Sequence, residues 1–111
     1  MSAVLAGTDI GVDEEGYLLN HHDWTPDIAT QLAQQQQLIL HDEHWQILYA
    51  IRNFYQQYQR SPTTRVLLKY LGQQLGSEKS SSIYVMSLFG DGTPAKTVAR
   101  LAGLPKPTNC I

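Results

Sequence analysis

The stretch that most constrains the fold is residues 41–59, with the sequence HDEHWQILYAIRNFYQQYQ. Its apolar residues recur every three or four positions, which places their side chains on one face of an α-helix. The face is broad, and a broad apolar face is typical of a helix at the centre of a small domain. We therefore expect a central helix that Trp45 anchors in its first turn. Its predicted apolar face consists of Ile47, Leu48, Ile51, Phe54, Tyr55 and Tyr58.

Start and stop signals predict four further helices around the central one. The first begins at Thr25-Pro26, because threonine caps helix N-termini and proline suits the first helical position. A second follows the central helix over SPTTRVLLKYLGQQLG, and two shorter ones are predicted over SSSIYVMSLF and TPAKTVARLAG. The predicted buried stripe of the helix in SPTTRVLLKYLGQQLG consists of Leu68, Leu71 and Leu75.

A β-hairpin is expected before the first helix. In TDIGVDEEGYLL, apolar residues stand on both sides of DEEG, and Gly16 supplies the positive φ that a tight turn requires. The short loops between the predicted helices favour steep crossing angles. The predicted fold is therefore mainly α: a small orthogonal bundle of about five helices with an N-terminal hairpin.

The chain length and the distribution of charge limit the classes of function. A chain of 111 residues forms one domain. It has no apolar run of about 18 residues and no basic N-terminal leader, so we expect a cytoplasmic protein without a membrane partner. Residues 1–51 contain eight acids and no Lys or Arg, whereas residues 52–111 contain eight Lys or Arg and two acids. Either this asymmetry serves docking to charged partners, or the two halves neutralise each other in the fold.

The chain ends in GLPKPTNCI. Pro105 and Pro107 lack backbone donors and bias their neighbours toward extended conformations. We therefore predict a single helical domain over residues 1–103 and a mobile C-terminal arm over residues 104–111.

The only cysteine, Cys110, lies on this arm. A thiol at such a position contributes nothing to core packing, and its thiolate form is a nucleophile. Arg100 and Lys106 favour that form if the arm folds back. A tethered thiol can accept a group from one protein and carry it to another. The alternative is an incidental cysteine in a frayed terminus.

Six motifs resemble the TusE/DsrC family and occur in that family's order: DEEGYL, EHW, SPTTRVLLKYLGQQLG, EK at residues 78–79, LFGDGTPAK and AGLPKPTNCI. The resemblance covers nearly the whole chain. It implies a small orthogonal helical bundle with an N-terminal hairpin, in agreement with the prediction from periodicity. The last motif is the most specific, because in that family a penultimate cysteine lies on a mobile arm.

The resemblance also implies a function. TusE proteins act in a sulfur relay for 2-thiouridine in tRNA, so Cys110 would accept sulfane sulfur as a persulfide from a TusBCD-like complex. It would pass that sulfur to a tRNA thiouridylase, which makes the chain a sulfurtransferase component that acts only with partner proteins. DsrC proteins serve dissimilatory sulfite reductase and use a second arm cysteine, whose position here is Ala99. One cysteine cannot close an internal disulfide. The chain therefore resembles TusE more closely, and a DsrC-like partner of sulfite reductase is the alternative.

The sequence departs from the family pattern in the helix over SSSIYVMSLF. Ile83 and Ser87 stand where basic residues are expected, Ser80 stands where glycine is expected, and FGDGTPAK is one residue longer. An alternative interpretation is therefore that the chain is a diverged paralogue that serves another sulfur pathway. Five basic residues are candidates for a surface that supports the arm or binds partners, and the first three match the family pattern: Arg65, Lys69, Lys96, Arg100 and Lys106.

A helix-turn-helix DNA-binding regulator is the alternative from a different class. Arg65 and Lys69 lie four residues apart in the second of two consecutive helices over residues 44–75, where they could contact phosphates. The net charge of −2 and the weak turn signal speak against direct nucleic-acid binding.

No metal or other cofactor is expected. The four histidines have no third ligand at a convincing spacing, and we interpret His44-Trp45 as structural packing. These histidines are His21, His22, His41 and His44.

Overall fold

The computed structural model describes residues 1–90 and 92–107. Within these ranges the chain forms one antiparallel hairpin followed by five α-helices, which confirms the predicted mainly α bundle. No helix in these ranges is long and apolar enough to cross a membrane. The strands are β1 (Ser2–Leu5) and β2 (Thr8–Gly11), and the helices are α1 (Pro26–Gln35), α2 (Asp42–Tyr58), α3 (Thr64–Leu75), α4 (Ser82–Phe89) and α5 (Pro94–Leu101). Short 3-10 turns form over His21–Asp23 and Ser77–Lys79.

The N-terminal hairpin lies closer to the N-terminus than the sequence pattern indicates. β1 and β2 pair around Ala6-Gly7, where both residues have positive φ, 52° and 77°. Two positive φ values in succession match the right-handed twist of paired strands, which explains a turn at this position. The sequence reasoning missed this turn because alanine rarely adopts such a conformation.

The predicted turn over DEEG also forms. Gly16 has a φ of 89°, and the Asp13 carboxylate accepts the backbone N–H groups of Glu15 and Tyr17. The strand pairing beyond it is a single bridge between Val12 and Leu18. DEEG is therefore a compact second turn that follows the main hairpin.

α2 is the central helix and packs against α3, α4 and α5. Its buried residues are His44, Ile47, Leu48, Ala50, Ile51 and Phe54. The prediction that Tyr58 belongs to the buried face is wrong, since Tyr58 is 51% exposed. Phe54 explains the difference, because its ring packs against both Tyr58 and Tyr70 and closes the core below Tyr58. Tyr55 is half-buried.

α3 presents a different stripe from the predicted one. Leu67 and Leu71 are fully buried, whereas Leu68 and Leu75 are half-buried. α3 packs against both α2 and α5, and the Thr64 hydroxyl accepts the backbone N–H of Ala95 at the start of α5. In this packing Leu67 and Leu71 are buried, and Leu68 lies at the edge of the buried stripe.

His44 is a core residue, as predicted. It is 3% exposed, and its Nδ1 accepts the backbone N–H of His41 at 3.0 Å. That bond places the proton on Nε2, which donates to the Leu88 carbonyl at 2.7 Å. His44 therefore joins α2 to the C-terminal end of α4. No group of three His, Cys, Asp or Glu suitable for a metal occurs in the described ranges.

Candidate functional site at the root of the C-terminal segment

Trp24 and Arg52 hold the end of α5, from which the C-terminal segment, which the structure describes over residues 103–107, leaves the bundle. We call this point of exit the root of the segment. The Trp24 indole donates to the Leu101 carbonyl at 2.8 Å, and Arg52 Nη1 donates to the Ala102 carbonyl at 2.8 Å. The guanidinium carbon lies 4.3 Å from the centre of a Trp24 ring, a cation–π contact. Carbonyls at a helix C-terminus have no partner within the helix. These two side chains satisfy them and so fix the direction of exit.

Gly103 makes the turn that follows. Its φ is 73°, its N–H donates to the Arg100 carbonyl, and the next N–H, of Leu104, donates to the Ala99 carbonyl. A glycine in the left-handed region is a common way to end a helix. A Cβ atom on Gly103 would lie only 2.4 Å from Cδ1 of Trp24, so the position also has no space for a side chain. The predicted helix stop at Gly103 is confirmed.

Residues 104–107 continue along the bundle surface. Leu104 is 1% exposed and belongs to the core, and Pro107 is buried. The Ser61 hydroxyl donates to the Pro105 carbonyl at 2.6 Å. These contacts involve the first four residues of the predicted arm, and the boundary after residue 103 stays a prediction. The predicted mobility of the arm falls in part on residues 108–111, outside the described residues, and stays a prediction.

Lys106 adds an electrostatic contact at the same root. Its Nζ lies 2.7 Å from a carboxylate oxygen of Glu15, in the second turn of the N-terminal region. Both side chains are largely exposed, so the pair contributes at most about 1 kcal/mol of stability. Its more useful effect is positional, because it ties the segment to residues 13–17.

Two more of the predicted basic residues lie beside the same turn. Arg100 lies next to Gly16, since a Cβ atom there would be 3.8 Å from Arg100 Cδ. The Tyr17 hydroxyl donates to the Lys96 carbonyl at 3.4 Å. Burial lowers the pKa of the Arg100 guanidinium, which donates to the side chain of Gln36, and Tyr17 opposes this shift. The fold thus brings Lys96, Arg100 and Lys106 to the turn over residues 13–17.

Arg65 and Lys69 lie elsewhere. Both are exposed on α3, and Lys69 lines a shallow cavity of about 300 Å³ with Phe54 and Tyr70. Within the described residues no hydrogen bond or ion pair joins them to the other three basic residues. The five candidates therefore divide between two regions, and their role at the arm or at partners stays a proposal.

The sequence departures on α4 lie on its surface. Ile83 is 80% exposed and Ser87 is exposed, so neither contributes to the core. Ser80, at the predicted glycine position, is half-buried and donates to the Ser77 carbonyl at 2.6 Å. The departures at Ile83 and Ser87 change the outer face of α4 while leaving its buried residues, Val85 and Phe89, in the core. Ser80 precedes α4 and caps the 3-10 turn over Ser77–Lys79.

The two positions that carry the thiol argument differ in what the structure describes. Cys110, the predicted catalytic residue, lies outside the described residues. Ala99, at the position of the second cysteine in DsrC proteins, is completely buried on α5, and its carbonyl accepts the Leu104 N–H. Because position 99 holds alanine and not cysteine, Cys110 is the one thiol of the chain.

Sequence reasoning missed Trp24, Arg52 and Ser61 at the root. One signal was present for Arg52, the single cation of α2, which stands beside Ile51 on a helix predicted to be central. A cation in that position must find polar partners. Its partners are backbone carbonyls, and a sequence does not show where those will lie.

The fold agrees with the comparisons to known proteins. The family model described as DsrC like protein matches residues 4–111. The chain therefore belongs to the DsrC-like family, which confirms the resemblance drawn from its motifs.

Named relatives cover nearly the same length. The Sulfurtransferase TusE homolog of Haemophilus influenzae is 43% identical over 105 residues, 95% of each chain. The Sulfurtransferase TusE of Photorhabdus laumondii is 44% identical over 108 residues, 97% of this chain and 96% of the relative.

Two solved structures are similar over the full length of both chains. The NMR structure of Allochromatium vinosum DsrC has a TM-score of 0.88 and 48% sequence identity. The crystal structure of the oxidized gamma-subunit of the dissimilatory sulfite reductase (DsrC) from Archaeoglobus fulgidus has a TM-score of 0.83 and 31% identity.

Proposed function

We propose that this protein is a sulfur carrier of a sulfur relay and that Cys110 carries the sulfur as a persulfide. The observation that carries the proposal is a single thiol at the penultimate position of a chain whose relatives are named sulfurtransferase TusE. These observations favour a functional thiol over an incidental cysteine in a frayed terminus.

The proposed chemistry is sulfur transfer between thiols. The Cys110 thiolate attacks the terminal sulfur of a donor protein's persulfide, the donor's S–S bond breaks, and the donor thiolate leaves. A new bond joins Cys110 Sγ to the transferred sulfur. The second transfer repeats these steps, with a thiolate of the acceptor as nucleophile and Cys110 as leaving group. Neither transfer consumes an external oxidant or reductant.

The root contacts define how far the thiol reaches. Three residues span the distance from Pro107 to Cys110, which is at most about 10 Å of extended chain. A partner must therefore present its reactive sulfur close to the surface formed by α5 and the turn over residues 13–17. The basic residues Lys96, Arg100 and Lys106 lie at that surface, and we propose that they help to dock an acidic rim of the partner.

The partners in this proposal are proteins. We propose a TusBCD-like donor and a tRNA thiouridylase-like acceptor, working in the cytoplasm, because the named relatives are TusE proteins. Dissimilatory sulfite reductase is the second candidate partner, favoured by the likeness to its gamma-subunit from Archaeoglobus fulgidus. The alanine at position 99 favours the TusBCD-like donor and the thiouridylase-like acceptor. By the family resemblance, partners of sulfite reductase use a second arm cysteine, and a carrier with one thiol cannot close an internal disulfide.

Intact-mass spectrometry tests the carrier role. After incubation with a loaded donor protein, the chain is expected to gain one sulfur atom, and peptide mapping is expected to place it on Cys110. Adding a reductant removes the extra mass if it is a persulfide. An unchanged mass, or added sulfur on a peptide without Cys110, contradicts the proposal.

DNA binding provides a test of the helix-turn-helix alternative. We expect no binding of duplex DNA through α3, because the net charge is −2 and α3 carries only two exposed cations, Arg65 and Lys69. A fluorescence anisotropy titration measures this. Binding that weakens steeply with salt and is lost in the double variant Arg65→Ala, Lys69→Ala would instead support a regulator.

A further inference from the structure

A cavity of about 380 Å³ lies beside the root of the C-terminal segment, between the 3-10 turn over residues 21–23 and α2. We name it the Arg52 cavity. The nine described residues that line it include no Asp or Glu, although residues 1–51 hold most of the acids in the chain. Most of the lining carries polar groups that can donate hydrogen bonds: His21, His22, Arg52, Asn53, Gln56 and Gln59.

Arg52 is a half-buried cation that has no carboxylate partner among residues 1–90 and 92–107. It donates to the carbonyls of Ala102 and His21, at 2.8 and 3.4 Å, and stacks on Trp24. A guanidinium has five N–H groups. Among the described residues only two donor atoms of Arg52 make hydrogen bonds, and the one ion pair there is between Lys106 and Glu15. Burial lowers the pKa of Arg52, and the neighbouring Tyr49 opposes this shift.

The two histidines make the same region unfavourable for further positive charge. The ring of His21 lies 4.0 Å from that of His22 and 4.7 Å from that of Tyr55, measured between centroids. Burial lowers the pKa of His21, and the nearby His22 and Arg52 lower it further. An anion in the cavity would relieve this repulsion and accept hydrogen bonds from the same groups.

We propose that the Arg52 cavity binds a tetrahedral oxyanion of the phosphate or sulfate class, either free or as part of a nucleic-acid backbone. The planar fork of an arginine suits two oxygens of such an anion, and the surrounding amides and imidazoles provide further donors. The volume falls within the range of small-molecule sites. Because Arg52 also holds the Ala102 carbonyl and Leu104 lines the cavity, the bound anion stiffens the root of the segment. This site is independent of sulfur loading on Cys110.

A titration with inorganic phosphate, followed by NMR chemical shifts of the labelled chain, tests the proposal. Saturable shifts are expected for residues 21–22 and 52–56. The pKa of His21 is expected to rise on binding, because a nearby anion favours the imidazolium. Binding of sulfate, whose charge is constant in this range, is therefore expected to strengthen as the pH falls and His21 becomes protonated. His22, Arg52 and Tyr55 are the groups that face His21.

A pair of charge variants on α2 makes the test specific. Asn53→Asp places a negative charge on the cavity lining, and Gln57→Glu places one on the same helix outside it. Both native side chains are exposed, so neither change disturbs the core. Asn53→Asp is expected to weaken phosphate binding at least about fivefold through charge repulsion, and Gln57→Glu is expected to leave it within about twofold.

Further titrations identify the source of the anion and separate this site from the carrier role of Cys110. Sulfate tests the anion class, and a short RNA oligonucleotide in place of phosphate tests the backbone source. The site is supported if sulfate or the oligonucleotide binds and if Asn53→Asp weakens that binding more than Gln57→Glu does. Cys110→Ser is expected to bind phosphate like wild type, which separates this proposal from the carrier role. Absence of saturable binding to phosphate, sulfate and oligonucleotide overturns it, as does equal weakening by Asn53→Asp and Gln57→Glu.

Discussion

Replacement of Cys110 by serine is expected to abolish sulfur loading and all transfer to an acceptor, with no measurable change in folding. Cys110 is the only cysteine of the chain, and a hydroxyl cannot hold sulfur as a persulfide. Among the described residues the hydrophobic core extends to Leu104. The substitution exchanges one sulfur atom for oxygen, so we expect the fold to be retained. Intact mass after incubation with a loaded donor measures the loading. Circular dichroism and thermal melting measure the fold.

A second thiol position provides the matched control. Ser87 is exposed on α4, and Ser87→Cys in the Cys110→Ser background restores one accessible thiol at another place. This thiol is expected to react with small sulfane donors but to accept no sulfur from a donor protein, because it does not lie in the GLPKPTNCI segment. Equal transfer to cysteine at residues 87 and 110 would show that position is irrelevant and would contradict a dedicated carrier arm. A loss of stability in Cys110→Ser would show that the thiol has a structural role.

The helices could be predicted because their signals are local. Apolar spacing in residues 41–59 depends on neighbours three and four residues away, and Thr25 caps α1 through the N–H of Ile28, three residues on. The rotation of α3 could not be predicted in the same way. Which leucines of α3 are buried depends on how α3 packs against α2 and α5, and contacts such as the one between Thr64 and Ala95 join residues 31 positions apart.

The candidate site likewise has one part that local sequence predicts and one part that it does not. The motif that carries Cys110 is contiguous, so the sequence alone identifies the thiol and its tail. The root is made by contacts between residues far apart in the chain, such as Trp24 with the Leu101 carbonyl, 77 residues away. Backbone carbonyls are present at every residue, and nothing in the sequence indicates which one a tryptophan or arginine will bind. The anchoring of the C-terminal segment therefore appears only in the folded structure.

Gly103→Ala tests whether this anchoring is rigid. Gly103 has a φ of 73°, and a Cβ atom there would lie 2.4 Å from Cδ1 and 2.7 Å from Cβ of Trp24. Trp24 is buried and held by the Leu101 carbonyl, so it cannot move aside without losing that bond. Strain from positive φ costs about 1–2 kcal/mol, and steric overlap in a packed region adds about 1–3 kcal/mol. We expect the free energy of unfolding to fall by about 3 kcal/mol, measured by urea denaturation.

Gly7→Ala separates the two causes of that loss. Gly7 has nearly the same φ, 77°, but a Cβ atom there meets nothing within 4 Å. Its alanine variant is therefore expected to lose only the conformational part, about 1 kcal/mol. The difference between the two variants measures the resistance of Trp24 to displacement.

In Gly103→Ala, loading of Cys110 from a small sulfane donor should continue, whereas transfer to a protein acceptor should slow, because the segment leaves the bundle in a different direction. Equal losses of stability in both variants would mean that Trp24 yields without cost and that the root does not fix the path of the chain toward Cys110.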